Sequence, residues 1–555
     1  MNKFKIFSVA FIASASLAQA QDIEQAKKAI DAEQYEKAKI ALKSILQAKP
    51  SNGKAAFLLG NVYLKQSVED SARIYFQKGL TASDNGKFNN IGLGQLDLQD
   101  GKVAEAKSKF DLVTKDVKKK DVEEYIYIAN AYMNASKPDF KSAIAVLTKA
   151  KLANPESADV LLALGDAFFG DKNQNEAYTS YRDAFQKDSR LLRAKMQLGV
   201  LLKNARNFTE AKKTYDEVIA LNPSYGPVYR ELAETYYLWA NTEPKNYAAH
   251  IKTALGYYEK YLTLTDYSLD SRMRHADFLI LAKDYKALEA EAEKMKQLDN
   301  VNPRILRYLG YSAYENGNTD AAIQALTDFT SKPTSKVIAK DYYYLGLAKA
   351  KKAVNADGTT DTAKFDSALL EVKKAVELDP AIANELNAIG KDYFSKKQYG
   401  ISAKIFEIAI TNPKSKNFLE DNIYYGLNVY TENRGKTADK LDKVSLAKAD
   451  AAIDAVIAGS PDYLESYLYK ARINNTLEKD DVTLKSYQQF VDLVNAKGAE
   501  EITANKTKLI ESYNNMAAIY ANSDKAKAKE YFNKTLALDP ANKYALDSVK
   551  ILGQK

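Results

Sequence analysis

Two histidines and no cysteine leave this 555-residue chain poor in the side chains that bind transition metals or act as nucleophiles. Neither His250 nor His275 has a second histidine three or four residues away, the spacing that sets two ring nitrogens on one helix face for zinc. Gly79 and Gly86-Lys87 approximate a phosphate loop, but six residues separate the glycines where four are needed. Phe88 also stands where a Ser or Thr would hold magnesium. Gly92-Leu93-Gly94 lacks the third glycine and the preceding strand of a dinucleotide fingerprint. Asn355-Ala356-Asp357-Gly358 has the centre of a calcium loop, yet Ala353 and Lys364 occupy its first and last ligand positions and offer no carboxylate. Glu123 and Glu124 are adjacent carboxylates without the apolar surroundings that would part their pKa values for acid and base work. The expectation is no catalytic, cofactor or metal site. A polysaccharide hydrolase stays open as the enzyme alternative, because its two carboxylates can be distant in sequence.

Composition points away from disorder, since 27% charged and 46% hydrophobic residues provide ample core material. The net charge of +8 falls to 8 − 2 = +6 without Lys3 and Lys5, too dilute over this length to imply nucleic acid. The densest basic run, Lys118-Lys119-Lys120, is bracketed by Asp116, Asp121, Glu123 and Glu124 and reads as a solvated loop between helices. The first twenty residues have the parts of a secretory signal: basic Lys3 and Lys5, the apolar stretch Ile6 to Leu17, and Ala18-Gln19-Ala20. Cleavage after Ala20 and a periplasmic location are expected. The apolar stretch falls short of the roughly 20 residues that span a bilayer, and nothing later is comparable. Without cysteine there is neither a lipid anchor of the lipoprotein kind nor a disulfide.

The elements that carry these residues follow a periodic pattern. Six prolines lie twelve residues after an alanine: Pro50 after Ala38, Pro155 after Ala143, Pro223 after Ala211, Pro380 after Ala368, Pro461 after Ala449, and Pro540 after Ala528. Four residues past each alanine stands a bulky apolar residue such as Leu42, Leu147, Tyr215 or Phe532. A small side chain lets helix backbones approach while a large one fills the adjoining groove, and proline ends the helix. A second pattern precedes each unit, as in Leu59-Gly60 with Tyr63 and Leu164-Gly165 with Phe168. Its small residues Gly60, Gly94, Ala129, Gly165, Gly199 and Ala233 recur at intervals of 34 to 36. The period predicts a helix-turn-helix unit of 34 residues.

These residues resemble the tetratricopeptide repeat over essentially the whole mature chain. The unit from Leu164 and Gly165 through Phe168, Ala177, Tyr181 and Ala184 matches the family pattern at every small and large position of both helices. The family's tryptophan departs: Trp239 is not at that site, and Tyr125 and Tyr229 fill the equivalent place. The resemblance implies an all-α, right-handed superhelical solenoid of about fourteen repeats, presenting a concave surface lined by first helices to peptides or partner domains. It therefore implies a scaffold or adaptor, with an envelope assembly, secretion or surface-motility complex as its setting and a carrier or chaperone for exported polypeptides as the alternative. The family's carboxylate clamp is not expected. Asn61 and Asn130 hold its asparagine place, but Phe57 and Ile126 replace its lysine, and Gly92 and Ala163 its following asparagine.

The expected organisation is a signal at 1–20, repeats over 21–266, a degenerate repeat and possible hinge at 267–303, repeats over 304–540, and a capping helix at 541–555. A second degenerate unit surrounds Tyr469 to Phe490. Three units carry extra residues between their helices, near Asn241 to Tyr247, Val354 to Lys364 and Glu432 to Lys443, whose turn-forming composition predicts lengthened hairpins. Once packing positions are assigned, the first-helix positions left over in the middle of the chain are Arg230, Glu234, Tyr237, Arg307, Tyr311, Tyr314 and Tyr343. They are the expected partner groove, because Tyr and Arg dominate binding hot spots.

Overall fold

In a computed structural model of the chain, which describes residues 22–115, 117, 121–266, 268–299 and 301–553, each predicted unit is a pair of packed helices. Fourteen hairpins follow one another among the described residues, from 22–31 with Tyr35–Ala48 to Lys506–Tyr520 with Lys525–Leu538. The helix Lys543–Gly553 closes the series. No strand occurs among the described residues, and none of their helices is long and apolar enough to cross a membrane. The export signal expected at 1–20 and the run Lys118–Lys120 lie outside the described residues.

The recurring turn has a local cause. First helices end at a residue in the left-handed region, such as Lys172 (φ 63°), Arg206 (φ 59°) or Gly317 (φ 90°). The next residue caps the second helix: Asn173 accepts from the Glu176 amide, Asn207 from Glu210 and Asn318 from Ala321. Each of the six periodic prolines sits two residues past the end of a second helix, as Pro155 follows the helix ending at Ala153. Of the tyrosines in the tryptophan place, Tyr229 donates its hydroxyl to the Pro223 carbonyl at 2.9 Å. Tyr467, four residues before Ala471 as Tyr229 is before Ala233, donates likewise to the Pro461 carbonyl at 3.0 Å.

The small residue of the first helix faces the large residue sixteen positions later on the second. A Cβ on Gly165 would stand 2.4 Å from the Tyr181 ring, and one on Gly199 2.4 Å from Tyr215. Gly60 faces Phe76, Gly94 faces Phe110 and Gly390 faces Phe406 in the same way. This contact sets how closely the two helices approach.

The segments that look degenerate in sequence fold as ordinary hairpins, Leu269–Ala282 with Tyr285–Leu298 and Leu464–Thr476 with Asp480–Ala496. Leu288, Ala292 and Met295 supply the buried stripe of the former. The three insertions join helices of the same hairpin, two of them through one turn of 3-10 helix at Pro244–Asn246 and Ala438–Lys440. Contacts divide the chain into two compact units, Met1–Val301 and Asn302–Lys555.

Candidate binding surface

Where successive hairpins meet through like helices, these are mostly first helices, as Phe88–Gln99 packs against both Gly53–Lys65 and Glu123–Met133; Thr362–Leu378 with Tyr399–Ala409 is a pair of second helices that meet. The more closely spaced row lies inside the bend, so first helices line the inner side.

Ion pairs stitch this inner row together. In the first unit Arg193 donates to Asp166 at 2.8 Å and Lys203 to Glu231 at 2.6 Å. In the second, Arg472 grips Glu511 with Nε and Nη2 at 2.7 and 2.6 Å. Two-pronged contacts of this kind fix orientation as well as charge.

Arg230, Glu234 and Tyr237 belong to the first unit, and their partners are residues of that unit. Arg230 pairs with Glu33 at 2.5 Å, and its guanidinium lies 5.6 Å from the Tyr261 ring. Burial works against the Arg230 cation, but Glu33 and Glu231 outweigh it and hold it charged. Glu234 accepts from Nε and Nη2 of Arg274 at 2.8 and 2.7 Å, and Arg274 also covers the Tyr237 ring.

Glu33 comes from the turn of the first hairpin, where its φ of 58° turns the chain sharply. It also accepts from the Tyr261 hydroxyl at 2.7 Å. Next to it Gln34 donates to the Leu264 carbonyl at 3.1 Å, the Asp266 amide donates to the Glu33 carbonyl at 3.3 Å, and the Glu36 amide donates to the Asp266 carboxylate. Asp31 faces Arg193, and Lys27 pairs with Glu123 at 2.8 Å. The first hairpin thus lies against the sixth and seventh, and the inner side of this unit is closed by its own chain. Glu123 also binds Lys54, whose ammonium sits 3.4 Å from the Phe88 ring centre and is pushed by burial down to about 8.

Arg307, Tyr311, Tyr314 and Tyr343 belong to the second unit. Arg307 donates to both oxygens of Asp341, at 2.7 and 2.8 Å, and to the Lys336 carbonyl at 2.7 Å. The Tyr311 hydroxyl and the Ile338 amide also donate to Asp341, at 2.8 and 2.7 Å, and this carboxylate has 0% of its surface exposed. Tyr311 is 2% exposed and stacks on Tyr344 at 4.3 Å. Arg307 and Tyr311 are therefore turned to Asp341 and bind two repeats together, because a buried carboxylate demands donors. Tyr314 and Tyr343 keep part of their rings accessible. Burial raises the hydroxyl pKa of both, so they remain donors at neutral pH.

Asp341 escapes a reading for hot-spot residues because it is a short carboxylate inside a helix start; its one signal is its place 34 residues, a single period, after Arg307. Glu33 has no such signal, being 197 residues from Arg230. Of the two histidines, His250 stacks on Trp239 at 4.9 Å with Nε2 3.2 Å from Glu243, and His275 lies between Glu291 and Glu259. No cluster of three metal-ligating side chains occurs among the described residues.

Three family models described as tetratricopeptide repeat match the chain, at residues 23–87, 192–225 and 306–335. Similar solved structures include the C-terminal part of a TPR repeat-containing protein from Cytophaga hutchinsonii, 24% identical, covering 50% of this chain and 98% of that one with a TM-score of 0.29. PilF from Pseudomonas aeruginosa is 21% identical over 45% of this chain and 97% of its own, with a TM-score of 0.31. A tetratricopeptide repeat protein from Parabacteroides merdae is 14% identical over 53% and 99%, with a TM-score of 0.30. No curated protein matches.

Proposed function

This chain is a tetratricopeptide-repeat protein, and from that premise we propose that it is a periplasmic scaffold holding together proteins of an envelope assembly, secretion or surface-motility complex. Its repeats support protein interaction as the general role. The observation that carries the reading is a contrast between the units. Both units keep rings partly accessible on first helices, Tyr63, Tyr127 and Tyr237 in the first and Tyr314, Tyr343, Tyr393 and Tyr424 in the second, but in the first the opening hairpin is laid against the inner residues Arg230 and Tyr261. Rigid aromatic rings bury much area at little entropic cost, which is what a partner surface needs. The second unit is thus the partner-binding one, with Tyr314 and Tyr343 in contact and Arg307, Tyr311 and Asp341 holding their helices in place. Export is supported by the signal pattern of residues 1–20.

The test places a photo-crosslinking amino acid at Tyr343 in intact cells and identifies the captured proteins by mass spectrometry. One or a few envelope proteins in discrete adducts are expected. A smear of many unfolded polypeptides would instead identify a carrier of exported chains. N-terminal sequencing of the native protein should begin at Gln21, and a start at Met1 would overturn the compartment. Tyr343→Ala should weaken recovery of the captured partner by about 2 kcal/mol, the hot-spot scale, with unfolding of the protein little changed.

A further inference from the structure

The inserted turn near Val354 to Lys364 is not needed to complete a repeat. It joins helix Ala339–Lys352 to helix Thr362–Leu378, and bonds of its own tie it together. Val354 pairs with Thr360 as an isolated bridge, and the Asn355 amide donates to the Thr359 carbonyl at 2.8 Å. Gln398 of the following hairpin clamps it: its amide donates to the Gly358 carbonyl at 2.9 Å while the Thr360 hydroxyl donates back to its oxygen at 2.6 Å.

Between the two hairpins lies a cavity of about 270 Å³ that opens to solvent, with Val354 at the start of the inserted turn among its lining residues. Its wall is mainly aliphatic, formed by Leu347, Leu369, Val372, Leu386, Ile389 and Ile405. Interiors pack with few voids larger than a water molecule, and an apolar void forfeits dispersion contacts around its whole lining. An apolar cavity of this size points to an occupant. The mouth is polar, with Tyr314, Lys351, Asp392, Tyr393 and Lys396. Asp392 is neutralised by Lys396 at 2.6 Å. Lys351 lies over the Tyr314 ring at 5.7 Å, and among the described residues it has no carboxylate within ion-pair distance. The mouth therefore carries one uncompensated positive charge flanked by two phenol hydroxyls, a set that favours an anion.

We infer that this cavity binds an unbranched aliphatic carboxylate of roughly eight to ten carbons, its chain among the aliphatic side chains and its carboxylate at the mouth beside Lys351, Tyr314 and Tyr393. The mouth shares Tyr314 and Tyr393 with the rings of the scaffold reading, but the inference rests on the cavity, and titration of the protein without any partner tests it separately. Isothermal titration of octanoate into the full-length protein is expected to show a single site per chain, with octan-1-ol bound roughly ten-fold more weakly for want of the charge-assisted contact. Lys351→Glu, at an exposed position, is expected to weaken octanoate by at least about five-fold and leave octan-1-ol unchanged. Ala350→Phe, which fills the cavity from its wall, is expected to abolish both without lowering the unfolding temperature. No octanoate binding at millimolar concentration, equal affinity for acid and alcohol, or octanoate binding indifferent to Lys351→Glu overturns the proposal. Should Ala350→Phe fail to fold, the Lys351→Glu comparison decides.

Discussion

Asp341 and Asp421 are both fully buried carboxylates on the first helices of the second unit, and their surroundings give them opposite characters. Asp341 receives Arg307 in two prongs, a tyrosine hydroxyl and a backbone amide. Removing one partner of such a buried pair strands the other, so Arg307→Ala should cost the second unit about 3–5 kcal/mol in urea unfolding. Asp421 has only the Asn387 amide, at 2.7 Å, and one of its oxygens has no partner. Burial pushes its carboxyl up to about 6 from 3.8. The folded state thus resists ionisation that the unfolded state accepts. Below about pH 4 the group is protonated in both and costs nothing; as pH rises from about 4 to 6, stability falls, and above that it levels off. Asp421→Asn should abolish this fall, leaving the variant more stable than the wild type at pH 7 by about 3 kcal/mol at most and equal to it near pH 4. Thermal unfolding at the two pH values checks this; a variant destabilised at pH 7 would show that the carboxylate is held charged by something stronger than Asn387.

At the scale of the element, what repeats is one contact and one turn. The small residue of the first helix lets the large residue sixteen positions later seat against its backbone, with Tyr181 and Tyr215 fully buried at the two clearest examples. Gly199→Ala drives a Cβ into the Tyr215 ring, and overpacking of this kind should cost about 1–3 kcal/mol despite the better helix propensity of alanine. Thermal denaturation should show the loss, and a stabilised variant would mean that the hairpin is looser than its geometry indicates. The turn explains why weakly patterned segments still fold. Around Lys283 the left-handed residue and the cap Asp284, accepting from the Ala287 amide, are in place even where the packing residues drift from the pattern.

At the scale of the whole molecule, inner ion pairs hold both units, and in the first they also reach far along the chain. The first unit is tied to itself across a sequence gap of about two hundred residues, with Glu33 receiving Arg230 and Tyr261. Glu33→Arg sets two cations together and should release the first hairpin, raising amide hydrogen exchange over residues 22–34 by roughly ten-fold or more, the effect of about 1.4 kcal/mol of local opening. Arg230→Glu in the same molecule restores opposite charges and should return exchange towards the wild-type rate. Equal exchange in all three proteins would show that apolar packing of Ala26 and Ala29, both buried, holds the hairpin without the charges.

The sequence by itself determined the repeat: where helices begin and end, which residues are small, which are large, and the family these make. That follows because an alanine, a bulky residue four positions on and a proline twelve positions on act through helix geometry alone, within one hairpin. It also placed Tyr314 and Tyr343 among first-helix positions not needed for packing, and both are partly accessible. Only the tertiary structure decided what the remaining polar residues do. Arg307 and Tyr311 face the inner side by periodicity, yet both are drawn to Asp341 on the neighbouring repeat, whose burial makes it the stronger demand. Arg230 meets Glu33 only because successive hairpins of the first unit bend far enough to bring the first against the seventh, and that bend is the sum of many small rotations that no local pattern encodes. The cavity beside the inserted turn is legible only in space, where residues from two hairpins fail to fill the volume between them.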